Sequence, residues 1–307
     1  MNKIGEVTPD NEALTRVFMS GNEALARGVY EAGCRVTAAY PGTPSTEILE
    51  YASQYKEMYT EWSVNEKVSL EVAIGASLAG SRALCAMKHV GLNVASDALM
   101  TDTLLGVQGG LVIAVADDVG LSSSQNEQDS RFWGRFAHVP ILEPADSQEA
   151  YEMAQYGFEL SERFNVPVIL RMTTRVCHVK SVVSIGERSE YDVGGFVKNP
   201  AQLVMTPAHA KPLIPKMFER EEAMREYAST DCPLNMVLPG KDTRVGFVTS
   251  GPATLHARES FPDAPILKMG LSYPVPIEKI KAFAETVDQL VVIEETEPLV
   301  ETELKAA

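Results

Sequence analysis

Short apolar runs alternate with longer amphipathic segments along most of this chain. Residues 36–39, 83–87, 110–116 and 166–172 form runs of strand length, and the run at 110–116 (GLVIAVA) is continuously apolar. Such a run is expected for a parallel strand that is covered on both faces. The segments between the runs have the spacing of helices with one apolar face. The alternation predicts repeated β-α units around a parallel sheet, which is the α/β fold class.

Polar residues that favour helix N-termini precede three of the amphipathic segments. Ser20 begins the capping-box sequence SGNE. Asn65 is placed to cap a helix that runs through about residue 78. Asp146 or Ser147 is placed to cap a helix that ends near residue 163. These helices therefore have predicted N-terminal boundaries.

The stretch 36–45 (VTAAYPGTPS) leads from a strand into a turn. Pro41 and Pro44 cannot donate to a sheet ladder, and Gly42 allows backbone angles closed to other residues. Thr43 is placed as the N-cap, and Pro44 as the first residue, of a helix that reaches about residue 54. A helix that begins at the carboxyl end of a parallel strand can also bind a ligand. From this segment alone, capping is the simpler interpretation of Thr43.

The alternation weakens between residues 181 and 242 and then returns. Residues 181–242 contain scattered prolines and the charged run EREEAMRE at 219–226, which predicts a linker carrying a helix. Apolar runs at 245–249, 266–269 and 290–293, separated by helix-like segments, predict a second and smaller α/β unit. The predicted domains are residues 1–180, a linker at 181–242 and an incomplete-looking domain at 243–307.

Composition and charge narrow the class of protein. The chain has 307 residues, of which 45% are hydrophobic and 22% are charged, as in ordinary soluble globular proteins. A formal net charge of −15, without basic runs, disfavours nucleic-acid and anionic-membrane partners. The N-terminal sequence lacks the apolar core of a secretory signal, and no apolar stretch is long enough to span a bilayer. We therefore expect a cytoplasmic protein.

The four cysteines are scattered along the chain. Cys34, Cys85, Cys177 and Cys232 include no C-x-x-C pair, so their spacing favours neither a zinc site nor an iron–sulfur cluster within one chain. They are expected to be buried thiols in a reducing compartment. If the protein handles electrons, another chain must carry the clusters.

Five sequence blocks in a fixed order resemble one enzyme family. The blocks are YPGTPS, SVNEKVSLEVAIGAS, MKHVGLNVASD, VADDVGLSSSQNEQDSR and EPADSQEA. They are similar to the N-terminal half of the α subunit of indolepyruvate:ferredoxin oxidoreductases, within the thiamine-diphosphate-dependent 2-oxoacid:ferredoxin oxidoreductases. The similarity extends to LSYPVP and VVIEETEP near the end of the chain. Several motifs in one order are much more specific than a single glycine motif.

The resemblance implies a pyrimidine-type thiamine diphosphate domain followed by a transketolase C-terminal-like domain. It places Glu66 at the ring nitrogen of the cofactor's aminopyrimidine, where a carboxyl group helps to remove the proton from the reactive thiazolium carbon. The simpler interpretation is that Glu66 is an acidic residue that stabilises the start of its helix. The surrounding motif favours the catalytic role.

The resemblance also implies contacts with substrate and cofactor. Thr43 matches a position near the carbonyl and carboxylate of the substrate. Lys88 and His89 match substrate positions, and His89, Gly91 and Asn93 match cofactor positions, within a predicted loop at 88–93.

These contacts have structural alternatives. His89 fits a hydrogen-bonded loop histidine equally well. Gln125 and Asn126, in the long polar loop at 117–129, are more simply interpreted as amides that stabilise the loop.

Two features depart from the family pattern. Pyruvate-specific relatives carry an arginine after the long apolar strand, whereas this chain has Val115-Ala116-Asp117-Asp118. This difference disfavours pyruvate and favours a bulkier aryl 2-oxoacid. The chain also lacks the Gly-Asp-Gly-type motif of the second thiamine domain and the cysteine runs of a ferredoxin-like domain. We therefore expect a fragment or a split subunit whose partner supplies these parts.

The predicted function is a subunit of an indolepyruvate (aryl 2-oxoacid):ferredoxin oxidoreductase, which converts the acid to an acyl-CoA. The predicted cofactor is thiamine diphosphate with Mg²⁺ held by a missing domain or partner, and [4Fe–4S] clusters lie only on the partner. The predicted partners are a chain with the second thiamine domain and the clusters, a γ/β-type oxidoreductase subunit, ferredoxin and coenzyme A, in a hetero-oligomer. The alternatives are a subunit of a non-oxidative thiamine-dependent decarboxylase, which would release an aldehyde, and a non-catalytic scaffold.

Overall fold

The computed structural model describes residues 15–307. The start of the domain predicted at 1–180, and most of the sequence behind the prediction about a secretory signal, lie outside these residues. The strands are β1 (Thr15–Ser20), β2 (Val36–Ala39), β3 (Tyr59–Trp62), β4 (Ala83–Lys88), β5 (Leu111–Asp117), β6 (Ile141–Leu142), β7 (Val168–Thr173), β8 (Lys180–Ile185), β9 (Asn235–Leu238), β10 (Gly246–Ser250), β11 (Ile266–Met269), β12 (Leu271–Tyr273) and β13 (Leu290–Ile293). The helices are α1 (Gly21–Glu31), α2 (Thr46–Ala52), α3 (Glu66–Leu78), α4 (His89–Leu105), α5 (Arg131–Ala137), α6 (Ser147–Phe164), α7 (Thr174–His178), α8 (Pro200–Leu203), α9 (Pro207–Ala210), α10 (Leu213–Ser229), α11 (Ala253–Ser260), α12 (Ile277–Ala284) and α13 (Leu299–Ala306).

The largest sheet in the described part of the chain has the strand order β12-β6-β7-β5-β4-β2-β3. Its pairings are parallel except that of β12 with β6. The predicted α/β fold with a parallel sheet is therefore confirmed. From β2 the chain crosses to β3 on one side, and then returns to place β4 on the other side of β2. Ligands in open α/β sheets collect at such a switch point, outside the carboxyl ends of the strands.

Both faces of this sheet are covered, which explains the continuous apolar runs in the sequence. Leu84 and Val112 belong to a buried cluster that includes residues of α1 and α6. Their neighbours Cys85 and Ile113 point to the opposite face and belong to a cluster with residues of α3 and α4. The alternation of side chains along β4 and β5 thus fills two apolar layers.

The predicted helix caps are confirmed. The Ser20 hydroxyl accepts a hydrogen bond from the backbone N–H of Glu23 at 3.3 Å, which begins α1. Asn65 Oδ1 accepts from the N–H of Val68 at 3.0 Å, which begins α3. Of the two alternatives for α6, Asp146 is the cap, and its Oδ1 accepts from Glu149 N at 2.9 Å. Each cap satisfies an N–H that has no partner within its helix.

The predicted cap at Thr43 is wrong, because a tight turn precedes the helix. The carbonyl oxygen of Gly42 accepts from both the N–H and the hydroxyl of Ser45, at 2.8 and 2.7 Å. Helix α2 begins only at Thr46, whose hydroxyl accepts from the N–H of Gly42 at 2.9 Å. Pro44 is therefore a turn residue and not the first helical residue, and Thr43 lies exposed at the tip of the turn.

The predicted loop at 88–93 is also wrong. Lys88 is the last residue of β4, and α4 begins at once with His89. Gly91 was interpreted as a loop residue, but it lies in the first turn of this helix. A Cβ atom at Gly91 would lie 2.6 Å from Cγ of Glu66, so the glycine allows a close approach between α4 and the start of α3.

A second, smaller sheet has the order β13-β10-β11-β9. The three predicted apolar runs form β10, β11 and β13, which pair in parallel, and β9 pairs antiparallel with β11. Strand β9 and the long helix α10 both come from the stretch predicted as a linker, so the helix expected there is present. Strand β12 returns to the large sheet beside β6. The domain boundaries at 180 and 242 stay a prediction.

Candidate active site at the carboxyl edge of the large sheet

The predicted site residues lie at the carboxyl ends of neighbouring parallel strands. The turn with Thr43 follows β2, the segment before Glu66 follows β3, and Lys88 ends β4. The long polar loop that starts at Asp117 follows β5. Because β5, β4, β2 and β3 are adjacent in this order, all these segments meet on one edge of the sheet, around the switch point between β2 and β4.

Glu66 is the first residue of α3 and is partly buried. Its side chain lies against Gly91 of α4, where an added Cβ would be 2.7 Å from Oε1. The free N–H groups and the dipole at the N-terminus of α3 favour negative charge on this carboxyl group. The structure thus holds one carboxyl group at the mouth of the sheet between two helix N-termini.

Lys88 and the turn after β2 are also in contact. The alkyl part of Lys88 crosses Gly42, where an added Cβ would lie 2.7 Å from Cδ. The carbonyl oxygen of Thr43 accepts a hydrogen bond from the Ser123 hydroxyl at 3.4 Å, which joins the turn to the polar loop. The alkyl part of Lys88, the exposed Thr43 and the serine loop are therefore brought together beside the switch point between β2 and β4.

His89 is almost completely buried, with 1% of its surface exposed. Its Nε2 lies 3.0 Å from the carbonyl oxygen of Asn126, and its Nδ1 lies 3.4 Å from the backbone nitrogen of Asp118. Both ring nitrogens therefore have backbone partners in the polar loop. These contacts match the structural alternative for His89.

Asn93 is separate from this group. It lies exposed one turn along α4, and within residues 15–307 its side chain makes no hydrogen bond. Asn93 lies two residues after Gly91, and because an α-helix turns by about 100° per residue, its side chain points away from the face that Gly91 presents to Glu66. The structure therefore brings together Glu66 with Gly91, and Lys88 with the turn of Thr43, but not Asn93.

The polar loop is organised by Asp118. Its carboxylate accepts from the backbone N–H groups of Ser122 and Ser123, at 3.2 and 2.7 Å, and from the hydroxyl of Thr174 at 3.0 Å. Burial opposes the charge, but the hydrogen bonds from Ser123, Thr174 and Ser122 outweigh it and lower the pKa of Asp118 to about 2. The carboxylate is therefore ionised at neutral pH and holds the start of the loop. Gln125 and Asn126 lie exposed farther along it.

A buried ionic cluster at the same edge was not predicted. Arg171, at the carboxyl end of β7, donates to Asp117 at 2.6 Å and to Glu143 at 3.0 Å. Burial opposes its charge, yet Asp117, Asp129 and Glu143 raise the pKa of Arg171 well above its usual value. Burial raises the pKa of Asp117 in spite of Arg171 and Ser130. A sequence signal existed, because an arginine in an apolar strand must have partners.

The second arginine of this cluster, Arg131, is fully buried. Its guanidinium binds Asp129 and lies 2.6 Å from the carboxylate of Glu294, in the segment that follows β13. Neither Arg131 nor Arg171 is free to bind a substrate carboxylate, because acidic side chains surround both. These two arginines therefore do not replace the arginine that this chain lacks after the long apolar strand.

No group of three or more His, Cys, Asp or Glu side chains in residues 15–307 is arranged to hold a metal ion. The four cysteines are free and buried, and burial raises the pKa of Cys34 to about 11 and that of Cys85 to about 12. No helix within the same residues has the length and apolarity needed to cross a bilayer.

Comparison with solved structures defines the class of fold. The 2-oxoglutarate:ferredoxin oxidoreductase from Magnetococcus marinus, solved with 2-oxoglutarate, coenzyme A and succinyl-CoA bound, matches 98% of this chain and 62% of its own with a TM-score of 0.75 at 18% identity. A split-gene transketolase, described as an inactive β4 tetramer, matches 94% of this chain and 84% of its own with a TM-score of 0.58 at 15% identity. The fold is therefore a pyrimidine-type thiamine diphosphate domain with a transketolase C-terminal-like domain, as the resemblance implied.

Sequence comparison identifies the family. Residues 27–230 match the family model described as "Pyruvate flavodoxin/ferredoxin oxidoreductase, thiamine diP-bdg", and the chain belongs to this family. The indolepyruvate oxidoreductase subunit IorA of Thermococcus kodakarensis is 41% identical over 319 aligned positions. That alignment covers 99% of this chain and 49% of the relative, so the chain spans about half the length of this curated relative.

Proposed function

We propose that this chain contributes the aminopyrimidine half of a thiamine diphosphate site in a cytoplasmic oxidoreductase that converts aryl 2-oxoacids to acyl-CoA and reduces ferredoxin. The placement of Glu66 against Gly91, at the carboxyl edge of a fold shared with thiamine-dependent enzymes, is the main support. The similarity to an indolepyruvate oxidoreductase subunit supports the substrate class. A charged fraction of 22% and buried free thiols agree with a reducing, aqueous compartment.

The residues present fit one end of the cofactor. The glycine at position 91 lets α4 approach Glu66, whose side chain fills the space that a Cβ atom at this position would need. Glu66 is partly buried at the carboxyl edge of the sheet, where the proposed ring would lie beside it. Glu66 would hold the proton shared with the ring nitrogen of the aminopyrimidine. When bound, thiamine diphosphate supplies the carbon nucleophile that attacks the 2-oxo group and takes up the electrons released on decarboxylation. Coenzyme A then accepts the acyl group, and ferredoxin receives the electrons.

The other residues act on the substrate in this proposal. Lys88 supplies a positive charge for its carboxylate, and Thr43, exposed at the turn, supplies a hydroxyl for its carbonyl group. Gly91 lets α4 hold Glu66 in place beside the cofactor ring, and Asn93 is exposed, where a partner can enclose it.

The partner is proposed to hold the diphosphate with Mg²⁺ and to carry the iron–sulfur clusters, in a hetero-oligomer with a γ/β-type subunit. Exposed apolar side chains next to Glu66 support a docking surface: Trp62 is 46%, Val64 79% and Val94 49% exposed. Soluble surfaces rarely leave such side chains clustered without a partner. The docked partner would then cover the half of the site that this chain leaves open.

The substrate class can be tested with the complex purified from native cells, with its subunits identified by mass spectrometry. With coenzyme A and ferredoxin present, we expect indolepyruvate or phenylpyruvate to be oxidised with a higher kcat/KM than pyruvate. Burial of an aromatic ring contributes about 2 kcal/mol or more, which corresponds to a factor of tens. Pyruvate turnover equal to or faster than that of the aryl acids would contradict the proposal.

The division of the cofactor between chains can be tested by calorimetry. We expect the isolated 307-residue chain to bind thiamine diphosphate and Mg²⁺ weakly, because its sequence lacks the Gly-Asp-Gly-type motif that holds the diphosphate and the metal. The assembled complex should bind tightly and with defined stoichiometry. Thiamine without phosphates is the control, since its affinity for the isolated chain should not depend on a diphosphate site. Tight stoichiometric binding of thiamine diphosphate by this chain alone would contradict the proposed division of the cofactor site between two chains.

A further inference from the structure

We propose that His89 is a positioning residue, which holds the polar loop of residues 118–126 against the turn of Thr43 through one neutral imidazole tautomer. It then acts on the substrate side of the site through this loop, and not as a ligand of the cofactor. The inference deepens the proposed function and rests on it only for the effect on substrate. The claim that His89 holds the loop in one tautomer is argued only from contacts within this chain.

The two partners of the imidazole determine its tautomer. A carbonyl oxygen can only accept, so the contact of 3.0 Å to Asn126 O requires a hydrogen on Nε2. A backbone N–H can only donate, so the contact of 3.4 Å from Asp118 N requires a free lone pair on Nδ1. One neutral ring with its proton on Nε2 satisfies both contacts. The other neutral tautomer, or a charged ring, would place two donors or two acceptors against each other.

Other contacts also support the loop between these partners, among them the hydrogen bond from the N–H of Gly120 to Glu127 Oε1 at 2.6 Å. Leu121, Ser122, Ser123 and Gln125 are exposed, and the loop reaches the rest of the site through the hydroxyl of Ser123, which donates to the carbonyl oxygen of Thr43. The Asp118 carboxylate fixes the first half of the loop by accepting from Ser122 N and Ser123 N. His89 therefore connects the start and the far end of the loop, and the loop supports the turn that carries Thr43.

The tautomer can be measured directly on this chain. The five histidines are labelled with ¹⁵N, and the His89 ring is assigned from the signals lost in His89→Gln. Near neutral pH we expect the ring nitrogens of His89 to report a neutral ring protonated at Nε2. A ring protonated at Nδ1, or at both nitrogens, would overturn the proposal.

Amide hydrogen exchange then tests the loop. In His89→Ala we expect the amides of residues 119–126 to exchange roughly tenfold faster, as for the loss of hydrogen bonds of about 1 kcal/mol each. His89→Asn keeps an acceptor for Asp118 N, and His89→Gln keeps a donor for Asn126 O, so both should exchange at intermediate rates. His209→Gln is the control, because His209 lies partly exposed in α9 and its ring bonds only to Val204 O within the described residues. If the loop amides of His89→Ala exchanged at the wild-type rate, His89 would not be the residue that holds the loop. If that variant fails to fold, the tautomer measurement on the wild-type chain tests the proposal instead.

In the purified complex, His89→Asn should raise KM for the aryl 2-oxoacid several-fold, while exchange of the cofactor's thiazolium proton stays at the wild-type rate. Loss of that exchange with an intact loop would show that His89 contacts the cofactor, against the proposal. If the complex bound no thiamine diphosphate, the proposed function would fail, whereas the tautomer and the loop exchange would still be as stated.

Discussion

At the scale of single residues, the proposed chemistry depends mainly on Glu66. Its carboxyl group lies at the N-terminus of α3 and against the first turn of α4. An acidic residue at a helix start needs no further role, because the dipole alone stabilises it by about 0.3–1 kcal/mol at an exposed site. The contact with Gly91 is more than a helix start requires, since it holds the carboxyl group against the N-terminal turn of a second helix, α4. Measurements of stability and of activity on one Glu66 variant therefore distinguish stabilisation of the helix start from a catalytic role.

Glu66→Gln in the assembled complex should lower kcat by roughly 10²- to 10⁴-fold, the usual range for a lost acid–base group. Its free energy of unfolding should change by only a few tenths of a kcal/mol, because the change affects little beyond the helix dipole. Glu71→Gln makes the same chemical change at an exposed position on the same helix and should leave kcat unaltered. The measurements are ferredoxin reduction and exchange of the thiazolium proton by NMR. Wild-type exchange in a Glu66→Gln variant that still binds the cofactor would exclude the activating role.

At the scale of secondary structure, local signals were predictable and contacts between distant residues were not. Asn65 and Asp146 lie within three residues of the N–H groups that they cap, so the sequence alone revealed both caps. The turn at Thr43 is different, because Lys88 packs over Gly42 from 46 residues away and Ser123 reaches Thr43 from 80 residues away.

The same reason explains why parts of the site were missed. The sequence does not decide whether His89 contacts the ligands or stabilises a loop, because its hydrogen-bond partners lie 29 and 37 residues away along the chain. Arg171 was read only as part of a strand, and its partner Asp117 lies 54 residues away. The fold class and the order of elements follow from periodicity, whereas the pairing of polar side chains depends on which strands become neighbours. The family resemblance supplied candidate roles that periodicity could not provide.

Removal of a helix cap tests whether the start of α3 holds Glu66 in its active position. Asn65→Ala and Asp146→Ala should each lower the free energy of unfolding by about 1 kcal/mol, because each removes one side-chain cap. Only Asn65→Ala should also lower kcat, since it loosens the helix turn that holds Glu66, whereas Asp146 begins α6 elsewhere in the fold. Chemical denaturation and ferredoxin reduction measure the two effects. Equal losses of activity in both variants would mean that the start of α3 has no special part in the site.

At the scale of the whole molecule, the two α/β units are joined by buried charges. Arg131 begins α5 beside the large sheet, and it binds the Glu294 carboxylate and the carbonyl oxygens of Glu295 and Glu297, which follow β13 of the small sheet. Asp129 accepts from the hydroxyl of Thr296 at 2.6 Å. Asp129 is also the last residue of the polar loop, so the small unit is linked to the site edge through the same segment.

Arg131→Met should therefore destabilise the protein far more than a typical surface change. Removal of one partner from a buried ion pair costs roughly 3–5 kcal/mol. In this variant Glu294 loses its arginine, and of its two arginines Asp129 keeps only Arg171, at 3.8 Å. Arg244→Met is the matched control: Arg244 pairs with Asp242 at an exposed position, where solvent screens the two charges and the pair adds little to stability. Scanning calorimetry should show one transition in the wild type and in Arg244→Met, and in Arg131→Met an earlier transition for the small unit, separate from that of the large sheet. A single transition within a degree or two of the wild-type Tm in Arg131→Met would show that apolar packing, and not the buried charges, joins the two units.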